Sequence, residues 1–89
     1  MPKNARLAIQ EELYDFLTDH ADVFNAPYGI LKGVHINYYN LTFGITARVD
    51  AEIRIYSPKW LLYRDSRANM QKFKTLAALR AYLEETYLN

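Results

Sequence analysis

Between Leu41 and Ser57 the chain reads LTFGITARVDAEIRIYS, and every odd position from 41 to 55 is apolar: Leu41, Phe43, Ile45, Ala47, Val49, Ala51, Ile53 and Ile55. The even positions are Thr42, Gly44, Thr46, Arg48, Asp50, Glu52, Arg54 and Tyr56. Successive side chains of a strand point to opposite faces, so this alternation describes a sheet with one buried and one wet face. The parity carries a second statement. A two-residue hairpin loop pairs position x with x+3, exchanging odd for even and turning the buried set outward. No exchange occurs across Asp50. The chain therefore turns through a loop of odd length centred near Asp50, or continues as one long bent strand. Fully extended, the stretch would reach roughly 50 Å, far beyond a domain whose radius of gyration is about 12 Å. A turn or sharp bend at Val49–Glu52 is expected, with the same side chains inward either way.

Eighty-nine residues make a single domain, 1–89, of which half is hydrophobic, enough to fold unaided though with a small margin. The absence of cysteine excludes disulfides, thiolate metal sites and a cysteine nucleophile. It agrees with a reducing cytoplasm, the expected location. The opening MPKNARLAIQEELYDF has charges within its apolar run and no signal-peptide core. No stretch approaches about 18 uncharged apolar residues, so no membrane span is expected. Net charge is only +1, but it is unevenly spread. Residues 1–29 carry two basic and five acidic side chains, a net of −3; residues 30–83 carry nine and three, a net of +6. Glu84 and Glu85 close the balance. Such asymmetry bears on partners and not on fold.

From Asn4 to about Asp22 the apolar stripe Ala5, Ile9, Leu13, Phe16, Leu17 and His20 predicts a helix, with Asn4 as N-cap. Glu12, Asp15, Asp19 and Asp22 line another face of it, either as a solvated surface or as an acidic strip offered to a basic partner. Pro27 and Gly29 break the helix, and Asn25–Gly33 is a connection, with Val23, Phe24 and Tyr28 tucked against the core. Val34, Ile36 and Tyr38 alternate with His35, Asn37 and Tyr39 as a first strand, and Asn40 turns the chain. Ser57-Pro58-Lys59 is a second turn. Trp60–Tyr63 follows as a short last strand, apolar on both sides, which is either sandwiched or offers an apolar surface to another chain. The polar run Arg64–Gln71 is expected to be a mobile loop. Thr75 is the expected cap of a final helix with Leu76, Leu79, Leu83 and Tyr87 inward and Phe73 packed back on that face, a start near Asn69 being the alternative. The fold class is α+β: one antiparallel sheet of three to four strands with an N-terminal and a C-terminal helix on one face, in the order α-β-β-β-(β)-α.

Enzyme chemistry finds little purchase. His20 adjoins Asp19 on a helix, where neighbours point about a third of a turn apart and cannot form an orienting pair. His35 has no carboxylate partner visible in the sequence. Metal-ligand spacing, a glycine-rich phosphate loop and a nucleophile elbow are all missing, so neither catalysis nor a cofactor is expected. Nucleic acid is a second possibility. Arg48, Arg54, Lys59, Arg67, Lys72 and Lys74 lie on or near the open face, where cations interleaved with tyrosines suit phosphates and unpaired bases. The order α-β-β-β-α resembles, in topology, the double-stranded-RNA-binding domain. That family carries a Gly-Pro-x-His loop between its first two strands and a Lys-Lys-x-x-Lys cluster opening its last helix. Here the matching loop is Tyr39-Asn40-Leu41, and only Lys72 and Lys74 stand near the helix start. Asp50 and Glu52 dilute the basic face.

The third possibility is a protein partner. Eight tyrosines and a tryptophan exceed what so small a core can enclose, and Tyr, Trp and Arg dominate interface hot spots. Tyr39, Tyr56, Trp60, Tyr63 and Tyr82 are expected to stand partly outside. Arg54, Tyr56, Trp60, Tyr63 and Arg64 are the expected partner-binding residues, and the acidic helix sets orientation. An open sheet also allows a homodimer by edge or face pairing. The expected function is stoichiometric binding without turnover. By analogy alone, it is the style of phage- or plasmid-encoded accessory proteins that regulate or inhibit a host system. A nucleic-acid-binding sheet surface is the alternative.

Overall fold

The computed structural model describes residues 4–24 and 33–89. The turn expected at Pro27–Gly29 and the packing of Tyr28 lie outside the described residues. Five antiparallel strands form a meander in the order β1 (His35–Ile36), β2 (Asn40–Ile45), β3 (Val49–Ser57), β4 (Trp60–Asp65) and β5 (Met70–Phe73). Helices α1 (Ala5–Asp19), α2 (Ala21–Phe24) and α3 (Leu76–Leu83) cover one face, and a π-helical turn (Glu84–Leu88) extends α3. The architecture is α+β, with one more strand than the three to four expected, and so departs from the α-β-β-β-α order of the double-stranded-RNA-binding domain.

The alternation holds. Leu41, Phe43, Ile45, Val49, Ala51, Ile53 and Ile55 are all buried, while Thr42, Asp50, Glu52, Arg54 and Tyr56 reach the other face with partial or full exposure. Leu41 stands opposite Ile53, Phe43 opposite Ala51, and Ile45 opposite Val49, so like faces like across the hairpin. The connecting loop is the odd-length kind the parity demands, but it lies at Thr46–Arg48, three residues before Asp50. Ala47 is consequently exposed at the tip and not part of the core. Contacts from elsewhere place the turn here. The Thr46 amide donates to the Val23 carbonyl at 2.9 Å, and Arg67 donates to the Ala47 carbonyl at 3.0 Å. Arg48 takes the left-handed conformation (φ 63°) that closes so short a loop.

The other turns handle parity differently. Tyr38 and Tyr39 form a two-residue loop with φ of 55° and 61°, closed by reciprocal hydrogen bonds between Asn37 and Asn40 at 2.8 and 3.1 Å. Both central residues at positive φ mark a type I′ turn, ordinarily the place of Asn-Gly. The strand expected over Val34–Tyr39 therefore shrinks to His35–Ile36, and Asn40 begins β2. The loop exchanges odd for even, bringing Ile36 to the face of Leu41. Pro58–Lys59 makes a second two-residue loop, pairing Ser57 with Trp60. A bulge at Tyr56 then absorbs one residue and restores odd-to-odd pairing, Ile55 with Leu61 and Ile53 with Tyr63. Tyr63, expected outside, is thereby carried to the enclosed face with 0 % exposure. β4 accordingly alternates like its neighbours, with Leu61, Tyr63 and Asp65 inward.

Arg64–Gln71 is no free loop. Its first two residues finish β4, its last two begin β5, and Asp65 organises the turn between them. The Asp65 carboxylate accepts from the amides of Arg67 (2.9 Å) and Asn69 (3.2 Å), and Ser66 exchanges hydrogen bonds with the backbone of Asp50. An aspartate collecting amides two and four residues on is a local device that loops use to hold shape.

Both predicted helix caps are present: Asn4 Oδ1 accepts from the Leu7 amide at 2.7 Å and Thr75 Oγ1 from Ala78 at 3.1 Å. Helix α1 stops at His20 and buries Leu13, Phe16 and Leu17; Ala5, at the end of the expected stripe, is exposed. Helix α3 buries Leu79 and Leu83. Arg80 joins the helices, lying 4.8 Å from the Phe16 ring and 3.4 Å from Glu12.

Candidate partner-binding face

The sheet face turned away from the helices is open, and the register places its side chains in rows. One row runs His35, Thr42, Glu52, Arg64 and Met70; the next runs Asn40, Arg54, Leu62 and Lys72. Glu52 sits at the centre and is the electrostatic hub. Its Oε1 receives Arg64 at 2.8 Å and lies 3.8 Å from Arg54, while its Oε2 accepts from the Asn40 side-chain Nδ2 at 3.1 Å. The expected basic patch is therefore partly neutralised from within.

Beyond this hub, toward the β1–β2 and β3–β4 turns, the face becomes aromatic. The bulge that corrects the parity of β4 also swings Tyr56 beside Trp60. Their rings stack at 5.2 Å with 28° between planes, at 43 % and 37 % exposure. Lys72 lies 5.6 Å from the Trp60 ring, and Arg54 lies 6.0 Å from that of Tyr56. Tyr38, on the I′ turn, is 92 % exposed. Residues of such bulk at positive φ cost of order 1–2 kcal/mol each, so the chain holds Tyr38 out at some expense.

Two hollows flank the hub. One, of about 340 Å³, is lined by Arg6, Asn37, Tyr38, Asn40, Arg54 and Tyr56. The other, of about 460 Å³, lies toward the opposite end over Thr42, Gly44, Asp50, Glu52, Arg64 and Ser66. Gly44 leaves a gap there where any other residue would raise a side chain. The second hollow mixes both signs of charge, and its Glu52 and Arg64 are already paired.

The structure sorts the expected site residues. Arg54, Tyr56, Trp60 and Arg64 share the open face. Tyr63 does not, and its burial removes it from any surface the folded protein presents. The candidate nucleic-acid contacts divide. Lys59 and Lys72 stand beside Trp60, with Arg54 against Tyr56, while Arg48 and Arg67 occupy the turns at the far end of the sheet. Along β3 the nearest members of the two groups, Arg54 and Arg48, are about 20 Å apart. Lys74 lies between β5 and α3. Glu12, Asp15, Asp19 and Asp22 are exposed on the helical side, with Glu12 paired to Arg80. His20 packs edge-on to Phe16 at 5.0 Å, and no group of three or more metal-ligating side chains occurs among the described residues.

Sequence reasoning missed the polar cluster on the enclosed face. The Tyr63 hydroxyl donates to Asp65 Oδ2 at 2.9 Å and meets the Tyr87 hydroxyl at 2.6 Å, while Asn69 joins Tyr82. Burial pushes the Asp65 carboxyl up, but hydrogen bonds from Tyr63, from the Asn69 and Arg67 amides and from Tyr87 outweigh it and hold the group below its ordinary value. Burial, then the bonds to Tyr87 and Asp65, push the Tyr63 phenol far above its usual range. Buried at Tyr63 and Asp65 and half-buried at Asn69, Tyr82 and Tyr87, this cluster ties the C-terminal helix to the β4–β5 turn. Its one sequence signal was the Asp65–Asn69 spacing in an otherwise polar run. No helix among the described residues is long and apolar enough to cross a membrane. Comparison with protein-family models, curated proteins and solved structures finds no match.

Proposed function

We propose that the protein is a non-enzymatic binding protein that docks a protein partner on the open face of its sheet, as a stoichiometric regulator or inhibitor. The observation that carries this reading is the stacked Tyr56–Trp60 pair on the solvent side, flanked by Arg54, Lys72 and the outward Tyr38. Rigid aromatic area with a polar edge and adjacent guanidinium is what interface hot spots are made of. The acidic strip on α1 lies on the helical side, so charge can orient the approaching partner.

A photo-crosslinking residue at position 56 tests this in cells that carry the gene. One defined partner band is expected, lost on Trp60→Ala while circular dichroism shows the fold intact. A band pattern that ignores Trp60→Ala, or no band, defeats the assignment. A second reading draws on the same stack: two rings with cations upon them can also receive unpaired bases. It requires retention of mixed-sequence single strands at low salt that falls steeply as salt rises. The central Glu52 and the separation of the two basic groups argue for the protein partner.

A further inference from the structure

The hollow beside Tyr38 says what kind of partner the face suits, given that the face docks a protein. Its two guanidiniums come from different elements, Arg6 from α1 and Arg54 from β3, and no acidic side chain lines it. Arg6 is set in place: its Nε donates to the Ile55 carbonyl at 2.7 Å and its guanidinium lies 3.9 Å from the centre of the Tyr39 ring. That leaves its two terminal nitrogens without a hydrogen-bond partner among the described residues. A guanidinium held by one edge and one face presents the remaining edge as a fixed fork for a carboxylate. Arg54 is under-compensated as well. Its nearest carboxylate oxygen, Glu52 Oε1 at 3.8 Å, is already taken by Arg64 at 2.8 Å. Tyr38 and Tyr56 complete the walls with ring surface and hydroxyls, and Asn37 adds an amide.

Concentrated positive charge, aromatic walls and no internal acid call for an anion on an apolar stem. We infer that this hollow receives a side-chain carboxylate from an acidic, extended segment of the partner, gripped between Arg6 and Arg54 and flanked by Tyr38 and Tyr56. Lys59 and Lys72, beside Trp60, stand ready for a second acid further along the same segment. A phosphate backbone would need a continuous cationic track. Here Glu52 interrupts it, and Arg48 lies about 20 Å from Arg54, with Arg67 at the same far end.

The test is fluorescence anisotropy with a labelled twelve-residue peptide of alternating glutamate and tyrosine. Its controls are the same peptide with glutamine for glutamate and a single-stranded oligothymidylate of equal charge. The glutamate peptide is expected to bind at least tenfold more tightly than either control. Arg54→Gln and Arg6→Gln should each weaken it tenfold or more, while Arg67→Gln at the far end leaves it unchanged. Should Arg6→Gln disturb the fold by losing its bond to Ile55, Arg54→Gln alone decides. No binding of the glutamate peptide at millimolar concentration, equal binding of the glutamine peptide, indifference to Arg54→Gln, or tighter binding of the oligonucleotide each overturns the proposal. The docking face is judged separately. If Trp60→Ala still abolishes the partner crosslink while the glutamate peptide fails to bind, the face stands and the carboxylate site falls.

Discussion

The two faces of the sheet each carry a group of aromatic residues with polar tips, and they use them in opposite ways. On the enclosed face Tyr63, Tyr82 and Tyr87 turn their hydroxyls toward Asp65 and Asn69, so each ring is packed and each oxygen is bonded within the molecule. On the open face Tyr38, Tyr56 and Trp60 pack only partially, and cations rather than carboxylates approach the rings. The difference teaches that residue type did not decide the role. A single inserted residue did: without the bulge at Tyr56, the two-residue loop at Pro58–Lys59 would have sent Tyr63 outward and Trp60 inward.

The contrast can be broken by truncating one ring on each side. Tyr63→Ala removes a fully buried side chain and should cost about 4 kcal/mol in chemical denaturation. Tyr56→Ala should cost about 1 kcal/mol at most, with its main effect on partner capture. Equal losses would mean that the open aromatic pair is part of the core after all.

The enclosed cluster can then be probed through its charge. Asp65→Asn leaves the Tyr63 and Tyr87 hydroxyls facing an amide in place of a carboxylate, and a loss of about 2 kcal/mol at neutral pH is expected. A carboxyl whose value is depressed in the folded state contributes stability that is fully present above its unfolded value, about 3.9, and is lost as pH falls through the lower folded value. The stability gap between wild type and Asp65→Asn should therefore be widest near neutrality and shrink below pH of about 4. A gap independent of pH would show that Asp65 acts by shape alone.

The smallest effect is expected with reversed sign. Tyr38→Asn suits the positive φ of the I′ turn and should stabilise the protein by about 0.5 kcal/mol, while weakening capture of the partner. A gain in stability with loss of binding is the signature of a residue kept for contact. Unchanged binding would remove Tyr38 from the face.

How much of this was legible differs from element to element. Apart from Ala47, which the turn exposes, the buried set from Leu41 to Ile55 could be read directly, as could the caps Asn4 and Thr75, because alternation and capping depend on neighbours within a few residues. β5 could not. Met70, Gln71 and Lys72 are exposed and Phe73 only half-buried, so no hydrophobic pattern announces a strand, and pairing with β4 makes it one. Most of the open-face residues were found, since even parity marks Arg54 and Tyr56. Arg6 and Tyr38 were missed because they reach that face from a helix start and a turn, which no strand pattern includes.

The order of residues determined which side chains could hide, because a strand's two-residue repeat is a property of the backbone itself. Folding in three dimensions decided where each turn fell, which of two neighbouring tyrosines went inward, and which arginines met around one hollow. Those outcomes rest on hydrogen bonds and packing between residues far apart in the chain, from Val23 with Thr46 to Arg6 with Ile55, and no local pattern encodes them.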